Sequence, residues 1–276
     1  MIRSVMKERM ECGLRPATDP LASGALSANR ELACRELADA SGCCDLWWAR
    51  RVDGREGLTD LLDDAETRRF HRFGCDADRE RFLVGCALAK LVLSRYLGLR
   101  PARKVRFVRR CTECGGPHGK PRLQDGELEF SISHSGELIV VAVAKPAVGV
   151  DVEEVTGDIP KDLIDMALSE QESAALSHLP SCERLRSFVR SWTQKEAIAK
   201  AAGAGMSLDP RAILVDPSDP PRLLEWPHCT APQDVALFTR VAPKYIVSVA
   251  AMGRCETIRS YDGSPLLARR TGEDLV

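Results

Sequence analysis

The 276-residue sequence has no long hydrophobic run. Its purest apolar stretch, Leu138 to Ala144, is far short of the about 20 residues that a membrane-spanning helix needs, and reads as a buried strand. Met1 to Pro16 mixes Arg, Lys and Glu and lacks the apolar segment of a secretory signal. Both absences predict a soluble, cytoplasmic chain with no membrane association. Net charge is also nearly missing: 39 Lys and Arg against 40 Asp and Glu leave −1. A general polyanion binder is far more basic, so nucleic acid is not an expected partner. Glycine and proline, at 20 and 16, stay near ordinary usage and exclude a collagen-like or linker-dominated chain. Cysteine is not scarce. Eleven thiols, an odd number without a secretion signal, point to reduced cysteines rather than a disulfide framework.

This length suits one large domain or two of ordinary size. Residues 1–45 carry Pro, Gly, Ser and Ala without sustained periodicity and are expected to be a partly disordered N-terminal extension. Order is expected from the strand around Leu46 to Arg50. Thr59 to Phe73 is helix-compatible, with acids early and arginines late, as the helix dipole favours. Asp78 to Gly98 is the clearest helix, because Phe82, Cys86, Ala89, Leu93 and Tyr96 recur at three- and four-residue steps. Arg103 to Arg110 alternates like a half-buried strand, and Cys111 to Pro121 is turn chemistry. Leu128 to Ser133, Leu138 to Ala144 and Gly149 to Glu153 read as strands. Ser169 with Glu172 has capping-box spacing and opens a helix toward Leu179. Arg184 to Ala202 is a second long helix, and Val235 to Val241 with Tyr245 to Ala251 a closing hairpin. Lys145-Pro146 is the seam between an N-terminal lobe, 46–145, and a C-terminal lobe, 146–255. A polar, frayed tail is expected over 256–276. The expected fold is α+β, two similar lobes with a ligand between them.

Four segments carry candidate chemistry. Within Gly149-Val-Asp-Val-Glu153, Asp151 and Glu153 share one strand face. That is the pattern of solvated surface carboxylates, and equally of a hard-metal site, since Mg²⁺ prefers oxygen ligands. Phe188, Trp192, Glu196 and Lys200 line one helix face at i+4 spacing. Glu196 and Lys200 form either a surface ion pair or, on a stripe that also buries Trp192, a metal oxygen and a phosphate contact. Within Phe130-Ser-Ile-Ser-His-Ser135, Ser131, Ser133 and Ser135 share a face with His134 at the strand end, as a polar hairpin or a diphosphate cradle. No G-x-S-x-G elbow supports a serine hydrolase. Gly119-Lys-Pro121 is a turn that presents Lys120 at a defined place. Cys111-x-x-Cys114 with His118 lacks the second cysteine pair of a structural zinc site.

In this order and spacing the four segments resemble the 4′-phosphopantetheinyl transferase superfamily, specifically its larger, monomeric, surfactin-synthetase-activating type. The resemblance covers roughly Leu46 to Met252. Ser131 departs from it, standing where the family commonly has asparagine. The resemblance implies two pseudo-two-fold lobes, each a long helix on a small antiparallel sheet. It implies transfer of the 4′-phosphopantetheine arm of coenzyme A to a serine of an apo acyl or peptidyl carrier protein, releasing adenosine 3′,5′-bisphosphate. By similarity Asp151, Glu153 and Glu196 hold Mg²⁺, and Glu196 also serves as general base. Lys200 and His134 meet the diphosphate with Ser133 beside them, and Lys120 and Pro121 line the nucleotide pocket. Arg81, with Arg72 and Arg79 as neighbours, reaches the 3′-phosphate. The basic run Arg100, Arg103, Lys104, Arg106, Arg109 and Arg110 is either solvated surface or a guide for acidic carriers. Two alternatives are a coenzyme A-binding homologue without transfer activity and a metal phosphodiesterase acting on small nucleotides.

Overall fold

The computed structural model describes residues 42–53, 57–111, 114–117, 119–124, 128–203, 208–216, 218–227 and 234–268. Most of the expected N-terminal extension and His118 lie outside these residues. The fold is α+β, built around two small sheets. The first has the order β11 (Thr257–Asp262), β1 (Cys43–Arg50), β5 (Leu138–Ala144) and β4 (Glu129–Ser135). The second is β6 (Ala147–Glu154), β10 (Tyr245–Met252) and β9 (Val235–Val241). All pairings are antiparallel except β1 with β11, which run parallel.

Apolar side chains lock these sheets and two long helices into layers. Trp47, Ala49, Phe130, Ile139 and Val141 leave one face of the first sheet and pack on helix α2 (Asp76–Leu97), which follows the shorter α1 (Asp64–Phe70). Leu46, Trp48, Val140 and Ala142 leave its other face and meet Val148, Val150, Val152, Val247 and Val249 of the second sheet. Helices α3 (Lys161–Ala167) and α4 (Glu170–His178) then lead into α5 (Ser181–Ala202), which covers the far face of the second sheet. Because both of its faces are covered, β5 is buried along its whole length, which accounts for its unbroken apolar sequence. No helix among the described residues is long and apolar enough to cross a membrane.

Each long helix carries a buried lysine. Lys90 Nζ lies 2.6 Å from Glu66 Oε2 and donates to the Leu61 carbonyl at 2.8 Å. Lys195 Nζ lies 2.6 Å from Glu172 Oε2 and donates to the Ala167 carbonyl at 3.0 Å. Glu66 and Glu172 also complete capping boxes with Asp63 and Ser169, so one carboxylate starts a short helix and anchors the long one. Burial pushes the Lys195 ammonium below its usual pKa, and Glu172 opposes that shift. Replacing Lys90 with methionine leaves Glu66, only 4% exposed, without its ammonium partner. The expected loss of stability is about 3–5 kcal/mol, read from urea unfolding midpoints.

Several boundaries differ from expectation. The helix expected over Thr59 to Phe73 is a 3₁₀ turn, Leu58–Leu61, and then α1, because the Asp63 capping box restarts the chain. The strand expected over Arg103 to Arg110 shortens to β2 (Phe107–Arg109), which pairs with β3 (Pro121–Leu123). Ala102 and Val105 are instead buried around a 3₁₀ turn. The short pair β7 (Leu214–Asp216) and β8 (Arg222–Glu225) was not anticipated. The frayed tail needs correction: Thr257 to Asp262 is β11, followed by the short helix α6 (Ser264–Ala268). Arg259 Nε donates to the buried Asp45 at 2.7 Å and Tyr261 stacks on Trp47, which holds β11 in place.

Candidate functional site

Strand β6 is at the centre of the site. Its side chains alternate, Val148, Val150 and Val152 toward the inter-sheet core and Gly149, Asp151 and Glu153 toward α5. One edge of β6 pairs with β10. The other edge faces β4 of the first sheet, and there serine hydroxyls stand in for backbone acceptors. Val150 N–H donates to Ser131 Oγ at 3.1 Å, Val152 N–H to Ser133 Oγ at 3.3 Å and Glu154 N–H to Ser135 Oγ at 3.1 Å. Ser133 and Ser135 pass their own hydrogens on, to Asp151 Oδ1 and Glu153 Oε2, each at 2.8 Å. The expected shared face of Ser131, Ser133 and Ser135 is therefore the joint between the sheets.

Lysines occupy carbonyls along the same edge. Lys120 Nζ donates to the Val148 carbonyl at 2.9 Å and to Glu129 Oε2 at 3.1 Å. Burial pushes its pKa down, and Glu129 pulls it back up. Lys200 Nζ, from the last turn of α5, donates to the Val150 carbonyl at 2.9 Å and to Ser133 Oγ at 3.1 Å. It sits 2.5 Å from Asp151 Oδ1, in a pair whose aspartate side chain is 0% and whose lysine side chain 19% exposed. Glu196 lies one turn earlier, half-buried, while Trp192 and Phe188 complete the same stripe in the core.

The α5 backbone reaches this edge because residue 149 has no side chain. A Cβ at Gly149 would lie 2.0 Å from the Ala197 carbonyl oxygen and 2.4 Å from the Ala201 nitrogen. Gly149, Glu129 and the hydroxyl-to-carboxylate bonds of the β4 serines were missed from sequence. The glycine beside the D-x-E pair was the available signal.

The remaining expected contacts lie elsewhere. His134 leaves β4 on the face opposite Ser133, the face that Ile132 and Phe130 turn toward α2, so the two do not sit side by side. Arg81 belongs to that side too. Its guanidinium donates to the Gly136 carbonyl at 2.9 Å and to Asp78 Oδ1 at 2.7 Å. Arg79 pairs with Asp76, and Arg72 is exposed just beyond α1. Pro121 opens β3 opposite Arg109. Gly116 N–H donates to Cys114 Sγ at 3.4 Å within the turn that also holds Cys111.

Among the described residues no three His, Cys, Asp or Glu side chains form a ready metal-binding group. Lys200 supplies the positive charge beside Asp151 instead. Asp151 and Glu153 on β6 and Glu196 on α5 are all carboxylates, the ligand chemistry that suits a hard divalent cation.

A family model described as the 4′-phosphopantetheinyl transferase superfamily matches residues 147–250. A second, described as 4′-phosphopantetheinyl transferase, N-terminal, matches residues 47–146. The chain is 31% identical over 176 residues to 4′-phosphopantetheinyl transferase HetI of Nostoc sp., covering 62% of this chain and 73% of that protein. It is 28% identical over 154 residues to 4′-phosphopantetheinyl transferase Sfp of Bacillus subtilis, covering 55% of this chain and 65% of Sfp. With 4′-phosphopantetheinyl transferase gsp of Aneurinibacillus migulanus the identity is 28% over 159 residues, 58% of this chain and 63% of that protein. The chain thus spans just under two thirds of the length of Sfp and gsp.

Proposed function

This chain belongs to the 4′-phosphopantetheinyl transferase superfamily, and from that premise we propose that it moves the 4′-phosphopantetheine arm of coenzyme A onto a serine of an apo carrier protein. One observation carries this reading. All four motif segments meet along a single edge of β6: Lys120 on Val148, the β4 serines on the next amides, and Lys200 on Val150 and Asp151. A phosphodiesterase needs only the acids and water, and gives Lys120 and the Trp192–Lys200 helix no part. A coenzyme A-binding homologue without transfer would not need the three acids and Lys200, all of which are present.

In the proposed reaction the carrier serine oxygen forms a bond to the phosphorus bearing the pantetheine arm. The bond from that phosphorus to the leaving adenosine 3′,5′-bisphosphate breaks, and the serine proton passes to Glu196, directly or through water. Asp151, Glu153 and Glu196 are proposed to hold Mg²⁺, which when bound neutralises the diphosphate and the charge developing on the leaving group. Lys200 then gives up Asp151 for the diphosphate. Its ammonium is proposed to meet the charge that grows on the diphosphate as the bond breaks. Lys120 and Pro121 are assigned to the nucleotide pocket, His134 to the diphosphate, and Arg81 with Arg72 to the 3′-phosphate. Arg103, Lys104, Arg106 and Arg110 are exposed, which supports a basic approach for an acidic carrier.

The reading also includes a cytoplasmic monomer with two pseudo-symmetric halves, divided near residue 146. In support, both long helices have 22 residues and close on a left-handed glycine, Gly98 or Gly203. Both carry their buried lysine at the same distance from that glycine. Counted from the glycine, Leu91 takes the place of Glu196; with β1 and β6 laid strand on strand, Trp47 takes that of Asp151, so only the second half keeps the acids.

Incubation with coenzyme A, Mg²⁺ and a panel of apo carriers, followed by intact-carrier mass spectrometry, tests the reading. A mass gain of one phosphopantetheine arm supports it, and carriers left unchanged across the panel oppose it. Lys200→Ala is expected to lower kcat about 100-fold, the scale of one lost transition-state donor. A raised KM with unaltered kcat would contradict that role.

A further inference from the structure

We propose that Ser135 is a positioning residue for Glu153, within a rack of β4 serines that fixes the acidic pair of β6 from the opposite sheet. The proposal rests on reading Asp151 and Glu153 as ligands of the divalent cation. Hydrogen-bond arithmetic supports it. A serine hydroxyl has one hydrogen to give and two lone pairs to fill. Ser133 Oγ receives the Val152 N–H and the Lys200 ammonium, so its hydrogen is left for Asp151 Oδ1. Ser135 Oγ receives the Glu154 N–H and gives its hydrogen to Glu153 Oε2. In each case the backbone bond fixes the hydroxyl and the hydroxyl fixes the carboxylate.

Geometry makes the rack periodic. Side chains two apart on a strand share a face, with a spacing of about 6.6–6.8 Å. Ser131, Ser133 and Ser135 therefore match residues 150, 152 and 154 in step, and the last two each donate to one carboxylate of β6. Like charges so arranged repel. Donated hydrogens offset part of that cost and keep both carboxylates aimed. Since β4 and β6 belong to different sheets, the aim of the acids depends on how the sheets meet. Ser131 provides an internal control: it accepts the Val150 N–H, and among the described residues its hydroxyl bonds no carboxylate.

The test uses the full chain with coenzyme A but without carrier, titrated with Mn²⁺ and followed by electron paramagnetic resonance. Ser135→Val and Ser135→Thr have nearly the same shape, and only threonine keeps the hydroxyl. Ser135→Val is expected to weaken Mn²⁺ binding about 10–100-fold, the usual effect of losing a group that orients a metal ligand. Ser135→Thr should restore it, and Ser131→Val should leave it at the wild-type value. The Mg²⁺ concentration for half-maximal carrier loading should follow the same ranking. Equal shifts in Ser135→Val and Ser131→Val would overturn the proposal, because the ladder would then act only as a joint. Wild-type affinity in Ser135→Val would overturn it too. If the valine variant fails to fold by circular dichroism, Ser135→Ala takes its place with the same expectation. A wild-type chain that binds no Mn²⁺ defeats the metal reading and this proposal together, whereas a binding wild type with an unaffected variant defeats this proposal alone.

Discussion

Asp151→Asn is expected to lower carrier loading by roughly 10²–10³-fold while the protein stays folded, the scale on which removal of one preorganised electrostatic group acts. Asparagine keeps the shape of aspartate, and its side-chain oxygen can still accept from Ser133. What disappears is the charge, on the residue that the two sheets and α5 all serve. Asp151 is fully buried, and the Ser133 hydroxyl and the Lys200 ammonium lie against its carboxylate. In the variant Lys200 loses its carboxylate. The Lys200 side chain is partly exposed, which keeps the structural cost small compared with breaking a fully buried pair. Activity should therefore fall far more than stability. Single-turnover loading measured with circular dichroism and thermal melting checks both. Full loading by the variant would remove Asp151 from the reacting machinery, and equal collapse of fold and activity would make it a structural residue.

Much of the fold could be read locally. The stripe of Phe82, Cys86, Ala89 and Leu93 gives α2, and the Ser169–Glu172 spacing gives the start of α4. Elements that depend on distant partners could not be read this way. Strand β11 is short and half-exposed, and neither Asp45 nor Trp47, its partners through Arg259 and Tyr261, lies near it in the chain. The segment before β2 failed for another reason. Alternation of apolar and basic residues fits a strand and a 3₁₀ turn equally well, and burial of Ala102 and Val105 decides for the turn.

The site divides along the same line. Residue types and order named its segments, because carboxylates two apart on a strand and a Glu-Lys pair one turn apart on a helix are visible in a short window. Their meeting along one strand edge was not visible. It depends on β4 and β6 being edges of different sheets, a property of topology rather than of either sequence. Ser133 and His134, adjacent in sequence, leave β4 on opposite faces for a local reason. Pleating sends neighbours to opposite faces, and β4 is still a strand at His134.

Gly149→Ala should be the most damaging single methyl group in the second sheet. The added carbon would sit 2.0 Å from the Ala197 carbonyl oxygen and 2.4 Å from the Ala201 nitrogen, both backbone atoms of α5. A flexible side chain could swing aside, but a helix backbone moves as a unit. To restore ordinary contact α5 must back away from β6 by more than 1 Å, or β6 must bend. Overpacking of this kind costs about 1–3 kcal/mol. The functional cost is larger, because Lys200 hangs from the same turn of α5 and Glu196 from the turn before it. Withdrawal stretches the bonds of Lys200 to Val150 and Asp151, now 2.9 and 2.5 Å, and carries Glu196 away with it. Displacement of catalytic groups by about 1 Å is enough to lower a rate about 100-fold. The expected result is a modest fall in melting temperature with a drop of about 100-fold in kcat measured at saturating Mg²⁺, since Lys200 and Glu196 have both been displaced. A melting temperature and kcat both close to wild type would mean that the helix yields at this contact without disturbing Lys200 or Glu196. The close approach at Gly149 would then be incidental to the site.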